Sequence, residues 1–385
     1  MRILATADLH LGLRFAGYGS FASAIAADRF DALGRYVDLA NDKGVDLFVI
    51  AGDLFDRRNV PAADVKKAAQ TLNRFSGQAV VVLPGNHDYA VADADPLWDR
   101  FSETAGDAVY VATSPGVWRE FSADVALYAA PCNAQHSSTH RLDEIAPSDG
   151  DQGAKYRILV AHGSIAGLTP DEDGVYFPMT TNDVRAVGAD LSIIGHTHVP
   201  VVDQDAGLVV PGTHVPDGFH CSHDGGVTIV ELAERSGEPG TMDRPGETGA
   251  GSRPAIAATR RVSLPKFRFA DRAVTFSVGQ DPASELHGLV SESDTIETIL
   301  RLTASGRLTT EELAAFRRAV DELRARTYYF ELRDEELLEL LSREEVGRRF
   351  SSNSFAHRLL TDLMDNNDEE ALAAALELMG ETGDA

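Results

Sequence analysis

Five times along this chain a short apolar run ends in a tight polar cluster able to hold a cation. The runs are "RILATADLH", "LFVIAGDLFD", "VVVLPGNHD", "ILVAHG" and "SIIGHTH". They present Asp8 and His10; Asp53 and Asp56; Asn86, His87 and Asp88; His162; and His196 with His198. An uninterrupted apolar run of four to eight residues, closed by Gly or a polar cluster, is the pattern of a buried strand. In sheets built from such strands, ligands collect beyond the carboxyl ends. A chain with five such ends must therefore fold so that the ends converge, or leave several charged groups buried apart.

The rest of the pattern follows this lead. Strands are predicted at 1–7, 45–51, 79–84, 125–130, 157–161, 191–194, 208–210 and 227–232, and amphipathic helices at 28–43 and at 62–75 just after Pro61. The alternation implies a βαβ-rich start with antiparallel strands later. Residues 233–256 contain "ERSGEPGTMDRPGETGAGSR", an aperiodic Gly/Pro/Ser-rich linker or long loop. Residues 257–332 read as a small α+β module, with strand-like "TRRVSLPKFRF", "TIETILRLTA" and "TYYFEL" around a helix at 309–326. Residues 333–385 read as helical and acidic, with apolar stripes in "DEELLELLS" and "AHRLLTDLMD". The acidic tail beginning "NNDEE" reads as a frayed helix or an extension.

Charge narrows the partners. There are 60 acidic and 35 basic residues, for a net charge of −25, and only five lysines. Phosphate contacts need Lys and Arg, so a nucleic-acid role requires that metal ions or a partner protein supply positive charge. Two distant cysteines, Cys132 and Cys221, exclude a disulfide scaffold and a thiolate zinc site. No apolar run reaches the length of a membrane span, and the chain opens on a strand pattern without a signal segment. A cytoplasmic location without membrane association is expected.

Two carboxylates, one amide oxygen and four imidazoles make a mixed O/N donor set, unlike an all-oxygen calcium site or a thiolate site. Seven ligands are too many for one ion and suit two if a carboxylate bridges. Two metals roughly 3.5–4 Å apart can clamp the attacking and leaving oxygens of a phosphoryl displacement. Each cluster alone is more often a turn, a cap or a satisfied core histidine; five at successive strand ends reverse that judgement.

Together the motifs D-x-H, G-D-x-x-D, G-N-H-D, H and G-H-x-H resemble those of the calcineurin-like metallophosphoesterases. "ATADLHLG", "AGDLFDRRNVP" and "VPGTHVPDGF" with "GGVTIVEL" are most similar to the SbcD-type nuclease subunits, relatives of the meiotic recombination nuclease. The resemblance is specific over 1–232 and architectural only beyond 257. It implies a four-layer αββα metallophosphoesterase sandwich over 1–232, a capping domain over 257–332 and a partner-binding helical region over 333–385. It implies that Asp8, His10, Asp53 and His198 hold one ion, that Asp53 bridges, and that Asn86, His162 and His196 complete the second. Manganese would be favoured, with magnesium or iron as substitutes. His87 would stand outside the ligand set and protonate the leaving oxygen or stabilise the transition state.

Asp56 is expected to orient a neighbouring imidazole. Asp88 reads as a turn or supporting residue, and His214, close behind the metal motifs, as a possible neighbour of the site. Arg14, Arg57 and Arg58 are candidate phosphate contacts. The implied function is metal-dependent hydrolysis of DNA phosphodiester bonds, endo- or exonucleolytic, at ends undergoing repair or recombination. The implied partners are DNA, a coiled-coil SMC-like ATPase of the SbcC type and a second copy of the chain. The alternatives are a phosphodiesterase or phosphatase for small molecules or phosphoproteins, and a non-catalytic scaffold for the ATPase. On amphipathicity alone the apolar faces at 355–364 and 372–379 face their own core; the resemblance weighs equally for docking of the ATPase.

Overall fold

In the computed structural model of the chain, residues 1–92, 95–145, 153–169, 173–233, 256–290, 297–366 and 368–381 are described. Two compact units are present, Met1–Phe267 and Arg268–Ala385.

In the first unit the apolar runs form two six-stranded sheets. Strands β1 (Arg2–Thr6), β2 (Leu47–Ala51), β3 (Ala79–Leu83) and β4 (Val109–Val111) run parallel in that order, β11 (Val227–Leu232) pairs antiparallel with β1, and β12 (Ile256–Val262) pairs antiparallel with β11. In the second sheet β6 (Val125–Ala130), β7 (Tyr156–His162), β8 (Leu191–Gly195) and β10 (Leu208–Val210) are parallel, flanked antiparallel by β5 (Gly116–Trp118) and β9 (Val201–Asp203).

The two-residue period of a strand sorts side chains between layers. In β2, Leu47, Val49 and Ala51 join Val125, Leu127, Ile158, Val160, Leu191 and Ile193 in a core between the sheets. Phe48 and Ile50 face the other way, onto helices α1 (Ala22–Asp42), α2 (Ala62–Leu72) and α3 (Pro96–Thr104) through Leu33, Tyr36, Val65, Leu72, Trp98 and Phe101. The outer face of the second sheet packs Tyr128, Leu159 and Ile194 with Val184 of α4 (Thr181–Ala186). The layering is αββα. Strands buried on both faces read as continuous apolar runs, and each fully buried aliphatic side chain contributes about 1.5–3 kcal/mol.

The second unit contains a sheet ordered β13 (Phe267–Phe276), β14 (Glu297–Thr309) and β15 (Tyr329–Leu340), with β14 parallel to β15. Helix α5 (Pro282–His287) precedes β14, and α6 (Thr310–Arg326) starts at a capping box between Thr309 and Glu312. Their core gathers Phe276, Leu286, Leu300, Leu302, Phe316 and Leu323. Helices α7 (Arg343–Arg349), α8 (Phe355–Asp365) and α9 (Glu369–Glu381) follow.

Two expectations change. Residues 257–262, assigned to the capping module, instead extend the first sheet through β11, with Ile256 of the expected linker, and the first compact unit runs to Phe267. Residues 334–340 are strand: after a register shift at 334–335, Glu336–Leu340 pair with Ser305–Thr309 of β14 despite their helix-like spacing of leucines. The apolar stripes of the last helices pack on one another, with Leu359, Leu360, Leu363 and Met364 meeting Leu372, Leu376 and Met379. The expected linker, apart from Ala233 and Ile256, lies outside the described residues, as do Asn367 and residues 382–385 of the acidic tail.

Candidate metal centre

The parallel strands β1, β2, β3, β7 and β8 all end at one edge of the sandwich, so the five polar clusters meet there. The sheets approach so closely that a Cβ built on Gly195 would stand 1.9 Å from the Ala51 carbonyl. Another on Gly85 would stand 2.2 Å from Asp53 Oδ1. Glycine is needed at both positions for approach rather than for flexibility. Asp8 (φ 54°), His10 (φ 41°), Asp53 (φ 52°) and His196 (φ 101°) are four of the five non-glycine residues with positive φ among those described. Such backbone costs of order 1–3 kcal/mol per residue and persists where the surroundings over-determine it.

The side chains converge in two groups. His10 Nε2 lies 3.2 Å from His198 Nε2 and 3.7 Å from Asp53 Oδ2. Donor atoms of Asp8, His10 and His198 all lie within 4.8 Å of one another. On the other side, Asn86 Oδ1 is 2.9 Å from His162 Nε2 and 3.2 Å from His196 Nδ1, and His162 Nε2 is 3.4 Å from Asp53 Oδ2. Asp53 stands between the groups. The His196 main-chain N–H donates to Asp8 Oδ1 at 3.0 Å, linking the sheets. His162 Nδ1 donates to the Ala51 carbonyl at 2.9 Å, which turns the Nε2 lone pair inward.

Burial is the largest influence on Asp8 and raises its pKa against the pull of His198 and His162. Burial opposes ionisation of Asp53 too, but His162, His10 and His87 outweigh it and hold the carboxyl well below its usual range. Burial works against a charged His162, yet Asp53 and Asp8 push it up to about 9. His10, dominated by burial, falls well below the ordinary imidazole value and is neutral.

These atoms fit divalent cations. Asp8 Oδ2 is buried without a hydrogen-bond partner, and the Nε2 atoms of His10 and His198 face each other across a gap that a proton or a cation must fill. Carboxylate, amide and imidazole donors suit Mn²⁺, Mg²⁺ or Fe²⁺.

A sequence profile of the family described as calcineurin-like phosphoesterase matches residues 1–200, more than half of the chain. The chain belongs to that family. Its members are metal-dependent hydrolases of phosphoester bonds. The phosphoesterase is 27% identical over 206 residues to the uncharacterized metallophosphoesterase YhaO of Bacillus subtilis, covering 51% of this chain and 48% of that protein. It is 30% identical over 208 residues to the DNA double-strand break repair protein Mre11 of Halobacterium salinarum, covering 52% and 47%. It is 35% identical over 91 residues to SbcD, a subunit of the SbcCD nuclease of Bacillus subtilis, covering 23% and 22%. The matches to the first two span about half the length of those relatives.

His87 also offers a ring nitrogen within 4.8 Å of donor atoms of His10 and Asp53, so what sets it apart is how its ring is held. Its Nδ1 lies 2.9 Å from the Asp56 carbonyl, which can only accept, so Nδ1 carries a hydrogen. Its ring meets that of His10 edge-on at 4.6 Å, and its main-chain N–H donates to Asp53 Oδ1 at 2.8 Å. The contact from Asp56 is therefore made by the main chain; its carboxylate pairs with the adjacent Arg57 at 3.1 Å.

The carboxylate that meets a candidate ligand is Asp217, whose Oδ2 lies 2.5 Å from His198 Nδ1. Asp217 was missed, although its acid between Pro216 and Gly218 in "HVPDGF" is a turn signal close behind the metal motifs. Asp88 is fully buried and accepts main-chain N–H bonds from Gly85 (2.7 Å) and Phe55 (2.9 Å), tying two of the site loops together. Burial, with Asp53 adding, pushes its pKa up to about 8.

His214 lies in the core, with Nε2 2.9 Å from the Arg29 carbonyl. Arg58 is engaged by both oxygens of Asp95 at 3.0 and 3.1 Å and stacks over Tyr89, so it is not available as the expected phosphate contact. Arg57 is half-exposed and donates to the Gly12 carbonyl at 3.1 Å, while Arg14 is exposed. Arg29 was also missed: it is buried on the same face of α1 as Ile25, Ala32, Tyr36 and Ala40, at helical spacing.

Proposed function

We propose that this phosphoesterase is a two-metal DNA nuclease that hydrolyses phosphodiester bonds at DNA ends, working with a coiled-coil SMC-like ATPase and DNA as partners. What supports the reading is the convergence of Asp8, His10, Asp53, Asn86, His162, His196 and His198 at one edge of the sandwich, beside His87, whose Nδ1 is held by the Asp56 carbonyl and which we assign to proton transfer. Asp8, His10, Asp53 and His198 would hold one cation, and Asp53, Asn86, His162 and His196 the other. Two bound cations would supply positive charge to the transferring phosphoryl group and acidify a water.

The chain's own residues do the rest. His87, with Nδ1–H held by the Asp56 carbonyl, uses Nε2 to gain a proton and give it to the leaving 3′-oxygen. Asp217 keeps His198 in one tautomer, and His162 is aimed by the Ala51 carbonyl. With Arg58 tied to Asp95, Arg14 and Arg57 are the proposed phosphate contacts near the centre. The names of two relatives, a double-strand break repair protein and a nuclease subunit, support DNA as substrate. The net charge of −25 supports a partner that supplies the basic surface. Residues 333–385 are the proposed docking region, and a homodimer is the proposed assembly. No helix among the described residues is long and apolar enough to cross a membrane.

The test gives purified protein with Mn²⁺ linear duplex DNA, single-stranded circles and bis-p-nitrophenyl phosphate in parallel, with and without the ATPase. Cleavage of linear duplex DNA supports the nuclease. Hydrolysis of the small diester alone, with DNA untouched even beside the ATPase, would leave a small-molecule phosphodiesterase. Failure to cleave any substrate would leave a scaffold.

A further inference from the structure

Helix α1 carries an arginine where an apolar residue would pack more cheaply. Arg29 is 1% exposed and faces the core side of the helix, between Ile25 and Ala32. Taking a guanidinium out of water costs several kcal/mol unless its donors are met. Here they are met by main-chain oxygens and a hydroxyl. Nε donates to the Leu9 carbonyl at 2.7 Å, and one terminal nitrogen reaches the Asp8 carbonyl at 3.2 Å and Thr213 Oγ1 at 3.3 Å. The other terminal nitrogen reaches the Pro216 carbonyl at 3.5 Å.

These acceptors sit on two segments that are far apart in sequence. Asp8 and Leu9 belong to the turn in which Asp8 and His10 both hold positive φ. Pro216 immediately precedes Asp217, the carboxylate on His198 Nδ1. The Thr213 hydroxyl lies 3.0 Å from the Asp8 carbonyl and joins the segments a second time. One rigid fork thus spans the turn that presents Asp8 and His10 and the turn that orients His198. A lysine has the charge but not the fork.

We propose that Arg29 is a positioning residue for the Asp8, His10 and His198 half of the metal centre, holding the 8–10 turn and the 213–217 turn at a fixed separation. The proposal rests on the two-metal reading above. It predicts an asymmetric defect, because the four acceptors lie on the segments that carry Asp8 and His10 and that orient His198, and only Asp8 among these also approaches His162 of the other half.

The experiment titrates Mn²⁺ into the metal-free full chain by calorimetry, with electron paramagnetic resonance to follow each site, for wild type, Arg29→Lys and Arg29→Met. Thermal unfolding of the metal-free proteins is recorded alongside. Wild type is expected to bind two ions. Arg29→Met should weaken one of them roughly 10–100-fold, the range for loss of a group supporting metal ligands, and leave the other within about twofold. Arg29→Lys should fall between; in Arg29→Ala, titrated in the same way, the same single site should be weakened and millimolar guanidinium, but not ammonium, should restore it.

A wild type that binds fewer than two ions overturns the two-metal reading and this proposal with it. A wild type that binds two, with Arg29→Met unchanged, overturns the proposal alone. Equal weakening of both sites in Arg29→Lys, in step with its loss of thermal stability, together with no guanidinium rescue of Arg29→Ala, assigns Arg29 to the fold and also overturns the proposal.

Discussion

Replacing Asp217 separates a supporting carboxylate from one that is merely nearby. Its side chain is 6% exposed and its Oδ2 lies 2.5 Å from His198 Nδ1. Burial opposes its charge, but His198, with Arg29 and His220 adding, holds the carboxyl below its usual range, so it is ionised at neutral pH. A hydrogen bond to a charged group contributes about 1.5–3 kcal/mol. At about 1.4 kcal/mol per tenfold, its loss should weaken the ion held by His198 roughly 10–100-fold in Asp217→Ala. Asp217→Asn keeps a neutral acceptor and should lose less, about 1 kcal/mol or roughly fivefold. Asp56→Ala is the control: its carboxylate pairs with the adjacent Arg57, and the carbonyl that meets His87 survives the substitution. Its Mn²⁺ affinity should stay within about twofold, because the ion pair it loses is with Arg57 and not with a donor. Competition titration with a Mn²⁺-sensitive dye reads all three. The reasoning is refuted if Asp56→Ala weakens binding as much as Asp217→Ala.

Further outcomes concern His162, Gly85 and the arginines near the centre. His162, pushed up to about 9 by Asp53 against burial, has a folded pKa above its ordinary 6.5. Its contribution to the metal-free chain is fully present below pH 6.5 and is lost as pH rises through about 9, a change of about 3 kcal/mol readable by denaturant melts at pH 6 and pH 9.5. A cation must displace that proton, so Mn²⁺ affinity should rise across the same window; calorimetry in buffers of different ionisation heat counts the proton released. Gly85→Ala places a Cβ 2.2 Å from Asp53 Oδ1, and should cost about 1–3 kcal/mol in stability and abolish binding of at least one ion. Unchanged Mn²⁺ stoichiometry would show that Asp53 can move away without loss. Arg14→Glu should reduce the salt slope of DNA binding by about one unit and spare hydrolysis of the small diester. Arg58→Ala should lower thermal stability instead, since its guanidinium is held by Asp95.

What could be read from residues alone was set by how local the determining physics is. Strands such as Leu47–Ala51 and Ala79–Leu83 are buried on both faces, so their apolar runs and the polar clusters ending them were legible without any partner. The three-residue edge strands Val109–Val111, Gly116–Trp118 and Val201–Asp203 carry no period of their own and exist through their neighbours. Pairing of β12 with β11 joins residues separated by a long aperiodic segment, which no local pattern announces. The leucines of 337–340 satisfy a helical spacing and a strand equally, and β14 decides between them.

The same distinction holds at the centre. The candidate donors were legible because each of the five clusters stands at the end of a strand. Asp56 drew attention by proximity in sequence, whereas Asp217 reaches His198 only because the 213–217 turn folds over it. Arg29 left a signal in its place on the apolar face of α1, but a charge there reads as a register error until the loops it holds are seen.

The central claim is that ligation and proton transfer reside in different residues of one tetrad, Asn86 and His87 within "GNHD". Metal content and turnover of bis-p-nitrophenyl phosphate, measured together on wild type, Asn86→Ala and His87→Ser, test it most directly. The account predicts two Mn²⁺ per chain in wild type and in His87→Ser, with turnover lost in the latter by roughly 10²–10⁴-fold, the range for general acid catalysis. It predicts that Asn86→Ala loses one ion and turnover together. A His87→Ser chain that sheds metal, or that retains its turnover with both ions bound, would contradict the account.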